Sequence, residues 1–167
     1  MTRSFGRPLS ALAPVREAVA AHATRTGEKL RAHDLVAGHL TVFVHTSPHA
    51  PGPRRHAARA IRLAPPTGDT RELVAAAVRC LEAAWRDGFA YVKAGVLLDD
   101  LRAPAGAPAD LLGAPRVGSE ALMAALDALN GRYGRGTVFP AAAGVERAWA
   151  QRAAYRGAPW TVCTRRA

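Results

Sequence analysis

The sequence predicts an α+β fold, because segments with the periodicity of helices alternate with segments with the periodicity of strands. Residues 12–30 and 69–85 repeat apolar side chains at the spacings of three and four that are typical of an amphipathic helix. Residues 40–44 alternate apolar and polar side chains, which is typical of a strand with one buried face. Hydrophobic residues make up 49% of the chain and charged residues 22%, and this balance excludes an intrinsically disordered protein.

The first half of the folded region is expected to contain three strands and one helix. A short strand over residues 3–7 precedes the first helix, and the alternating strand of residues 40–44 follows it. Prolines and a glycine within residues 48–53 predict a loop. Residues 57–63 then resume an extended pattern, which Pro65–Pro66 is expected to end.

The second helix begins at a recognisable cap. Asp69 followed by Glu72 resembles a capping box with aspartate as the cap, and the apolar stripe that follows ends at Gly88. Residues 91–98 are apolar and rich in valine and leucine, which predicts a strand that ends at Asp99–Asp100. The order βαββαβ predicts a ferredoxin-like unit, in which a four-stranded antiparallel sheet carries two helices on one face and leaves the other face open.

The C-terminal part is predicted to be a small, mainly helical appendage. Residues 102–118 are rich in proline and glycine and lack periodicity, which predicts a linker. Ser119 is expected to cap a helix that ends at Asn130–Gly131. Residues 137–139 are predicted to form a brief strand and residues 145–155 a further helix. Because this tail is too small to be stable alone, we expect it to pack on another part of the molecule.

The net charge of the chain is strongly positive. It is +10 with a pI near 11.1, which would attract an anionic partner, and nucleic acid is the commonest such partner. All of the 23 cationic residues except Lys29 and Lys93 are arginines. An arginine- and alanine-rich composition also results from a GC-rich genome, so charge alone leaves both explanations open.

Several classes of site and location are not expected. Cys80 and Cys163 are too few and too far apart for a disulfide scaffold or a metal knuckle, which favours a reducing cytoplasm. Residues 1–6 lack the apolar stretch of a signal peptide and no run of about 18 apolar residues occurs, so neither a signal peptide nor a membrane span is expected. The six histidines lack metal-ligand spacing, and the adjacent Asp99 and Asp100 should point to opposite faces of a strand. We therefore expect no metal, no cofactor and no catalytic residue.

Five segments, in their order and spacing, resemble the C-terminal part of Y-family translesion DNA polymerases. They are Arg3–Arg7, Leu40–Val44, Tyr91–Leu98, Leu122–Asn130 and Arg132–Val138. The first three are similar to the little-finger domain, and the last two to the C-terminal domain of the UmuC-type subunit of DNA polymerase V. The resemblance divides the chain into a little-finger-like DNA-binding domain at 1–101, the linker at 102–118 and a small UmuC-type domain at 119–167.

The resemblance implies that the open sheet face lies along the major groove of primer-template DNA and contacts phosphates. Hydrogen-bond donors on neighbouring strands suit a phosphate track without reading bases, and glycines in strands allow close backbone approach. The candidate DNA-binding residues are Arg3, Ser4, Gly6, Arg7, Thr41, His45, Arg62, Lys93 and Gly95. The alternative is an ordinary solvated sheet face, on which charged side chains are normal.

The resemblance also implies activities that this chain should lack. The carboxylates that hold Mg²⁺ in this family lie in the palm domain, which would precede Met1, so we do not expect the chain to synthesise DNA alone. The family's sliding-clamp peptide has a glutamine and an aromatic anchor. Ala109–Gly113 has neither, so clamp binding is not expected. These departures suggest a truncated or split polymerase gene, whose product either works with a separately encoded catalytic core or persists as a remnant.

Two functions remain open from the sequence. In the first, the chain is the non-catalytic DNA-binding portion of a translesion polymerase that acts in DNA repair and the SOS response. In the second, it is a protein-interaction module that binds a polymerase accessory subunit or a recombinase filament. Salt-sensitive binding to primer-template DNA distinguishes the first function from the second.

Overall fold

The first 102 residues form four strands and two helices in the order βαββαβ, and a third helix follows them. The structure, a computed structural model, describes residues 1–104, 118–146 and 149–150. The elements are β1 Thr2–Leu9, α1 Leu12–Ala32, β2 Val36–Thr46, β3 His56–Thr67, α2 Thr70–Ala84, β4 Tyr91–Arg102 and α3 Ser119–Tyr133, with a short 3-10 helix at Ala141–Ala143. The α+β class and the element order are as predicted.

The four strands form one antiparallel sheet in the order β1-β4-β2-β3. The strand β4 lies between β1 and β2, and β2 lies between β4 and β3. Each βαβ half is therefore split by a strand of the other half, as in ferredoxin-like units. The helices α1 and α2 pack against each other and on the same side of this sheet.

The hydrophobic core lies between the sheet and these two helices, which we call the helix layer. The apolar residues predicted for one face of β2, Leu40, Val42 and Val44, have no exposed surface. Leu73 and Leu81 of α2 are equally buried opposite the sheet. Burying a side chain of this type contributes about 1.5–3 kcal/mol, so the alternation in β2 fixes which face of the sheet turns inward.

Two strands extend beyond their predicted ends. The strand β3 continues through Pro65–Pro66 to Thr67, because it is an edge strand, where a missing backbone donor is tolerated. The strand β4 continues past Asp99–Asp100 to Arg102, because its pairing with β2 runs as far as Val36. Both predicted stops were wrong, since local sequence does not show which strand lies at an edge or how far a partner strand extends.

The predicted cap of α2 is confirmed. The Asp69 side chain accepts a hydrogen bond of 2.7 Å from the backbone amide of Arg71. The helix ends at Ala84, earlier than the predicted end at Gly88, because the backbone of Trp85 is extended.

The start of α3 differs from the prediction. Gly118, with a φ of 78°, stands at the N-cap position, and no side chain caps the helix. The Ser119 hydroxyl instead donates a hydrogen bond to the carboxylate of Asp69. Ser119 therefore connects α3 to the start of α2, which sequence reasoning could not distinguish from a local cap.

The end of α3 also differs from the prediction. The helix continues through Asn130–Gly131 to Tyr133, and the Asn130 side chain bonds the backbone N–H and carbonyl of Val138, each at 2.9 Å. This contact holds residues 137–139 in a turn rather than in the predicted strand. Of the helix predicted at 145–155, residues 147–148 and 151–155 lie outside the described residues, and the others are not helical.

The described part of the C-terminal tail packs on the outside of the helix layer. Arg31 of α1 bonds Asp127 of α3, and Met123 is buried where the backbone amide of Thr70 lies 3.3 Å from its sulfur. Ala143 and Trp149 are also buried. Most of the predicted linker, residues 105–117, lies outside the described residues, and the division into domains stays a prediction. Within the described residues, no helix has the length and apolarity needed to cross a membrane.

Candidate nucleic-acid interface

One face of the sheet contacts no helix, and we call it the open face. Side chains alternate along a strand, so the residues between Leu40, Val42 and Val44 lie on this face. Residues that pair directly across strands share a face, which extends the assignment to the other strands. The open face consists of Thr2 and Ser4 of β1, His39, Thr41, Phe43 and His45 of β2, His56, Ala58, Ala60 and Arg62 of β3, and Lys93, Gly95, Leu97 and Asp99 of β4.

A row of polar side chains crosses all four strands of the open face. Ser4 of β1 pairs with Lys93 of β4. Lys93 pairs with His45 of β2, and His45 pairs with His56 of β3. Because neighbouring strands lie about 4.8 Å apart, this polar row spans about 14 Å. Its four side chains can all donate hydrogen bonds to the oxygens of a phosphate backbone.

The structure brings six of the nine predicted DNA-binding residues to the open face, namely Ser4, Thr41, His45, Arg62, Lys93 and Gly95. Sequence reasoning missed His56, which completes the polar row, and His39, which pairs with Arg62. The alternation in β2 already placed residue 43 on this face, but the prediction did not include Phe43. The histidine at 56 lies at the start of β3, one residue before the predicted strand, so its pairing was not visible.

Gly95 has a structural role that the prediction did not foresee. It pairs with Phe43, and a Cβ at position 95 would lie 2.6 Å from Cε1 of the Phe43 ring and 3.0 Å from Cβ of Thr2. The ring therefore occupies the space beside the Gly95 backbone, where a phosphate was expected to approach. The Phe43 ring also stacks on His45, with centroids 6.4 Å apart and planes inclined by 17°.

Three predicted residues of β1 do not join the open face. Arg3 pairs with Ala94, which is fully buried, so the register places Arg3 on the side of the helix layer, and its predicted face was wrong. The pairing of β1 with β4 is irregular between Ser4 and Leu9, which includes Gly6 and Arg7. The Gly6 amide donates a hydrogen bond of 3.4 Å to the Trp149 carbonyl in the tail. Arg7 is exposed, and its contact with DNA stays a prediction.

The open face carries less charge than the whole chain. Its formally charged groups are Lys93, Arg62 and Asp99, with three further imidazoles that add positive charge when protonated. The net charge of +10 is therefore spread mostly over the helix layer, the loops and the tail. We conclude that the open face is uncovered by the described residues of the tail but only moderately basic.

The two adjacent aspartates at the end of β4 both lie close to His39 of the open face. Asp99 pairs with His39 on the open face. The Asp100 carboxyl lies beside Gly38, where a Cβ would be 2.8 Å from its Cγ, and its Oδ2 is 3.9 Å from Nδ1 of His39. The hydrogen bond from Arg102 is the main cause that lowers the pKa of Asp100. In the described part of the chain, no cluster of three or more His, Cys, Asp or Glu side chains could hold a metal ion.

Comparisons with known proteins match nearly the whole chain. The model of the impB/mucB/samB family C-terminal domain matches residues 1–111, and a domain of unknown function (DUF4113) matches residues 120–164. Among curated proteins, the chain is 40% identical to protein UmuC of Salmonella typhimurium over 90% of its own length and 36% of the relative. It is 39% identical to protein SamB of Salmonella typhimurium, over 89% of its own length and 35% of the relative. It is 37% identical to protein MucB of Escherichia coli, over 91% of its own length and 36% of the relative.

The chain thus spans little more than a third of these relatives. The matched family model covers more than half of the chain, and the fold agrees with the resemblance noted in the sequence. The chain belongs to the impB/mucB/samB family and corresponds to the C-terminal region of a Y-family DNA polymerase.

Proposed function

We propose that the chain grips the backbone of primer-template DNA through the open face, as the C-terminal portion of a translesion polymerase. The observation that carries this proposal is the polar row of Ser4, Lys93, His45 and His56 on a face that the described tail leaves uncovered. Serine, lysine and histidine donors bind phosphate oxygens without distinguishing bases, so the grip is expected to be independent of sequence. That property suits a polymerase that must follow damaged templates.

The moderate charge of the open face predicts the strength of its salt dependence. Only Lys93 and Arg62 are permanent cations there, so about two phosphates would be neutralised. The logarithm of the binding constant should then fall with the logarithm of the salt concentration with a slope of about −2. A much steeper slope would point to the arginines of the helix layer and the tail.

Fluorescence anisotropy with labelled primer-template DNA tests this proposal. The double variant Lys93→Ala/Arg62→Ala should weaken binding at low salt and reduce the slope to near zero. The matched control is Arg79→Ala, which removes an exposed arginine from α2 in the helix layer. The proposal fails if the parent chain does not bind DNA at low salt, or if the control variant weakens binding as much as the double variant.

We further infer that this chain binds DNA and does not itself catalyse phosphoryl transfer. Phosphoryl transfer needs carboxylates that share Mg²⁺ ions, whereas the Asp100 carboxylate already accepts a hydrogen bond from Arg102. The catalytic carboxylates would then belong to a polymerase core outside these 167 residues. Primer extension by the chain alone, with Mg²⁺ and nucleotides, should be undetectable, and any extension that Asp99→Asn abolishes would contradict this inference.

A second candidate function is protein binding, and a feature of α3 favours it. Leu122, Leu129 and Tyr133 lie on one side of this helix and are 42%, 41% and 61% exposed. An uncovered apolar stripe of this kind suits a protein partner, such as a polymerase accessory subunit or a recombinase filament. The variant Leu129→Ser should leave DNA anisotropy unchanged if the stripe binds only protein. Weaker DNA binding by this variant would assign the stripe to the DNA interface instead.

A further inference from the structure

A second group of arginines surrounds a cavity at the β1 edge of the sheet, where Ser4 also lines it. The cavity has a volume of about 360 Å³ and lies between the start of β1, the middle of α1 and the tail. Arg3 of β1, Arg25 of α1 and Arg135 of the tail line it. His22 and Trp149 line it too. Arg3, which the register removes from the open face, therefore faces a different part of the surface.

The charges around this cavity do not cancel. Arg25 forms an ion pair with Glu28, which also lines the cavity. Arg3 and Arg135 are exposed and form no ion pair with any residue in the described ranges. Two positive side chains thus converge on one space without a carboxylate partner, which favours an anionic ligand.

Two buried ring nitrogens at the cavity lack a partner. His22 is 1% exposed and Trp149 is 7% exposed, and their rings meet edge to face with centroids 5.6 Å apart. Neither Nε2 of His22 nor Nε1 of Trp149 has a hydrogen-bond partner among the described residues. Buried polar groups are almost always hydrogen-bonded, so two adjacent exceptions indicate an acceptor that the described residues do not supply. The indole can only donate, and a neutral imidazole can donate from Nε2.

The protonation of His22 is consistent with this role. Burial, followed by the positive charges of the amino terminus and Arg3, lowers the pKa of His22 from 6.5 to about 4. His22 is therefore neutral near pH 7, where it can donate a hydrogen bond without adding charge. The repulsion from Arg3 also indicates a positive potential at the inner end of the cavity.

We propose that this cavity binds a phosphate-class anion. Arg3 and Arg135 supply the positive charge, and the ring nitrogens of His22 and Trp149 donate hydrogen bonds to its oxygens. The ligand chemistry has two sources, a phosphodiester of a DNA strand that passes the edge of β1 or a free phosphate group. The four residues that carry the proposal, Arg3, Arg135, His22 and Trp149, all lie outside the open face, and Ser4 is the residue that borders both surfaces.

The test is NMR of the indole N–H groups in the whole 167-residue chain. Trp149→Phe assigns the Trp149 signal, and inorganic phosphate is added while chloride keeps the ionic strength constant. We expect a saturable shift of the Trp149 indole signal and no shift of the Trp85 indole, which bonds Asp87 at 2.9 Å. The variant Arg3→Ala/Arg135→Ala should abolish the shift. The open-face variant Lys93→Ala/Arg62→Ala should keep it.

A second arm identifies the source of the anion. Primer-template DNA is added to the open-face variant in place of phosphate. A matching shift of the Trp149 signal assigns the site to a phosphodiester, and a shift with phosphate alone assigns it to a free anion. The proposal is overturned if neither probe shifts the signal, or if the shift persists unchanged in Arg3→Ala/Arg135→Ala.

Discussion

Arg31 of α1 and Asp127 of α3 join the tail to the helix layer through two hydrogen bonds of 2.7 Å, donated by Nε and Nη2. The remaining Nη1 donates to the Gly68 carbonyl and to the Thr70 hydroxyl, each at 2.8 Å. These two bonds hold the Arg31 guanidinium in place independently of Asp127, so pairing with the carboxylate costs little side-chain conformational entropy. A two-bonded pair of this geometry is stronger than an ordinary surface ion pair, and we infer that it sets the position of α3.

Asp127→Asn should loosen α3 from α1 by about 1 kcal/mol, because an amide keeps the shape of the carboxylate but loses its charge. Amide hydrogen exchange should then show protection in α3 reduced by about fivefold, with α1 unchanged. The control Glu82→Gln removes the exposed pair with Arg16, whose atoms are 3.9 Å apart, and should change neither helix. Equal protection of α3 in the parent and in Asp127→Asn would show that other contacts hold the helix.

Gly95→Ala should destabilise the fold, because the new Cβ would overlap the Phe43 ring, lying 2.6 Å from its Cε1, and would lie 3.0 Å from Cβ of Thr2. Overpacking of this kind costs about 1–3 kcal/mol. Urea unfolding measures the change. Gly131→Ala is the control, since its Cβ would meet nothing within 4 Å and alanine suits a helix. The double variant Gly95→Ala/Phe43→Ala should recover part of the lost stability, and a failure to recover any would place the clash elsewhere.

The sequence predicted those features that depend on neighbouring residues. The alternation of Leu40, Val42 and Val44 was enough to place the core face of β2, and Asp69 was recognisable as a cap from the residues that follow it. Both signals are local, since side-chain direction in a strand and capping at a helix end follow from a few positions. The βαββαβ order was predictable for the same reason.

Features that depend on pairing across the sheet were not predictable in this way. Arg3 was placed on the wrong face because a register one residue away reverses every side chain of a strand. The Phe43 ring lies over Gly95 because the two residues pair across β2 and β4, although they are 52 positions apart in the sequence. No local sequence pattern reveals such a pairing. The contact of Arg31 with Asp127 spans 96 positions. The polar row and the cavity both follow from such long-range pairings.

Asp69 predicts an acid-sensitive contact at the start of α2. Burial raises the pKa of Asp69, but hydrogen bonds from Arg71 and Ser119 outweigh it and lower the pKa from 3.8 to about 2. A depressed folded pKa stabilises the fold above the unfolded value, and this stability is lost as the pH falls from about 4 towards 2. Asp69→Asn keeps a capping side chain, so it should be less stable than the parent at pH 6 and equal to it near pH 2. Thermal unfolding across this range measures the difference, and a constant difference would refute the charge effect.

His22 predicts a separate loss of stability as the pH falls from about 6.5 towards 4. Its pKa is lowered from 6.5 to about 4, chiefly by burial, so the unfolded chain binds a proton in this interval while the folded chain does not. Stability contributed by the neutral imidazole is complete above about pH 6.5 and is lost as the pH falls towards 4. His22→Phe keeps an aromatic ring against Trp149 but cannot titrate, so its stability should fall less than that of the parent over this interval. The control His49→Gln alters an exposed histidine in the loop between β2 and β3 and should follow the parent. If stability falls equally with pH in His22→Phe and in the parent, His22 binds a proton equally in the folded and unfolded states. Burial of the His22 ring against Trp149 would then not lower its pKa.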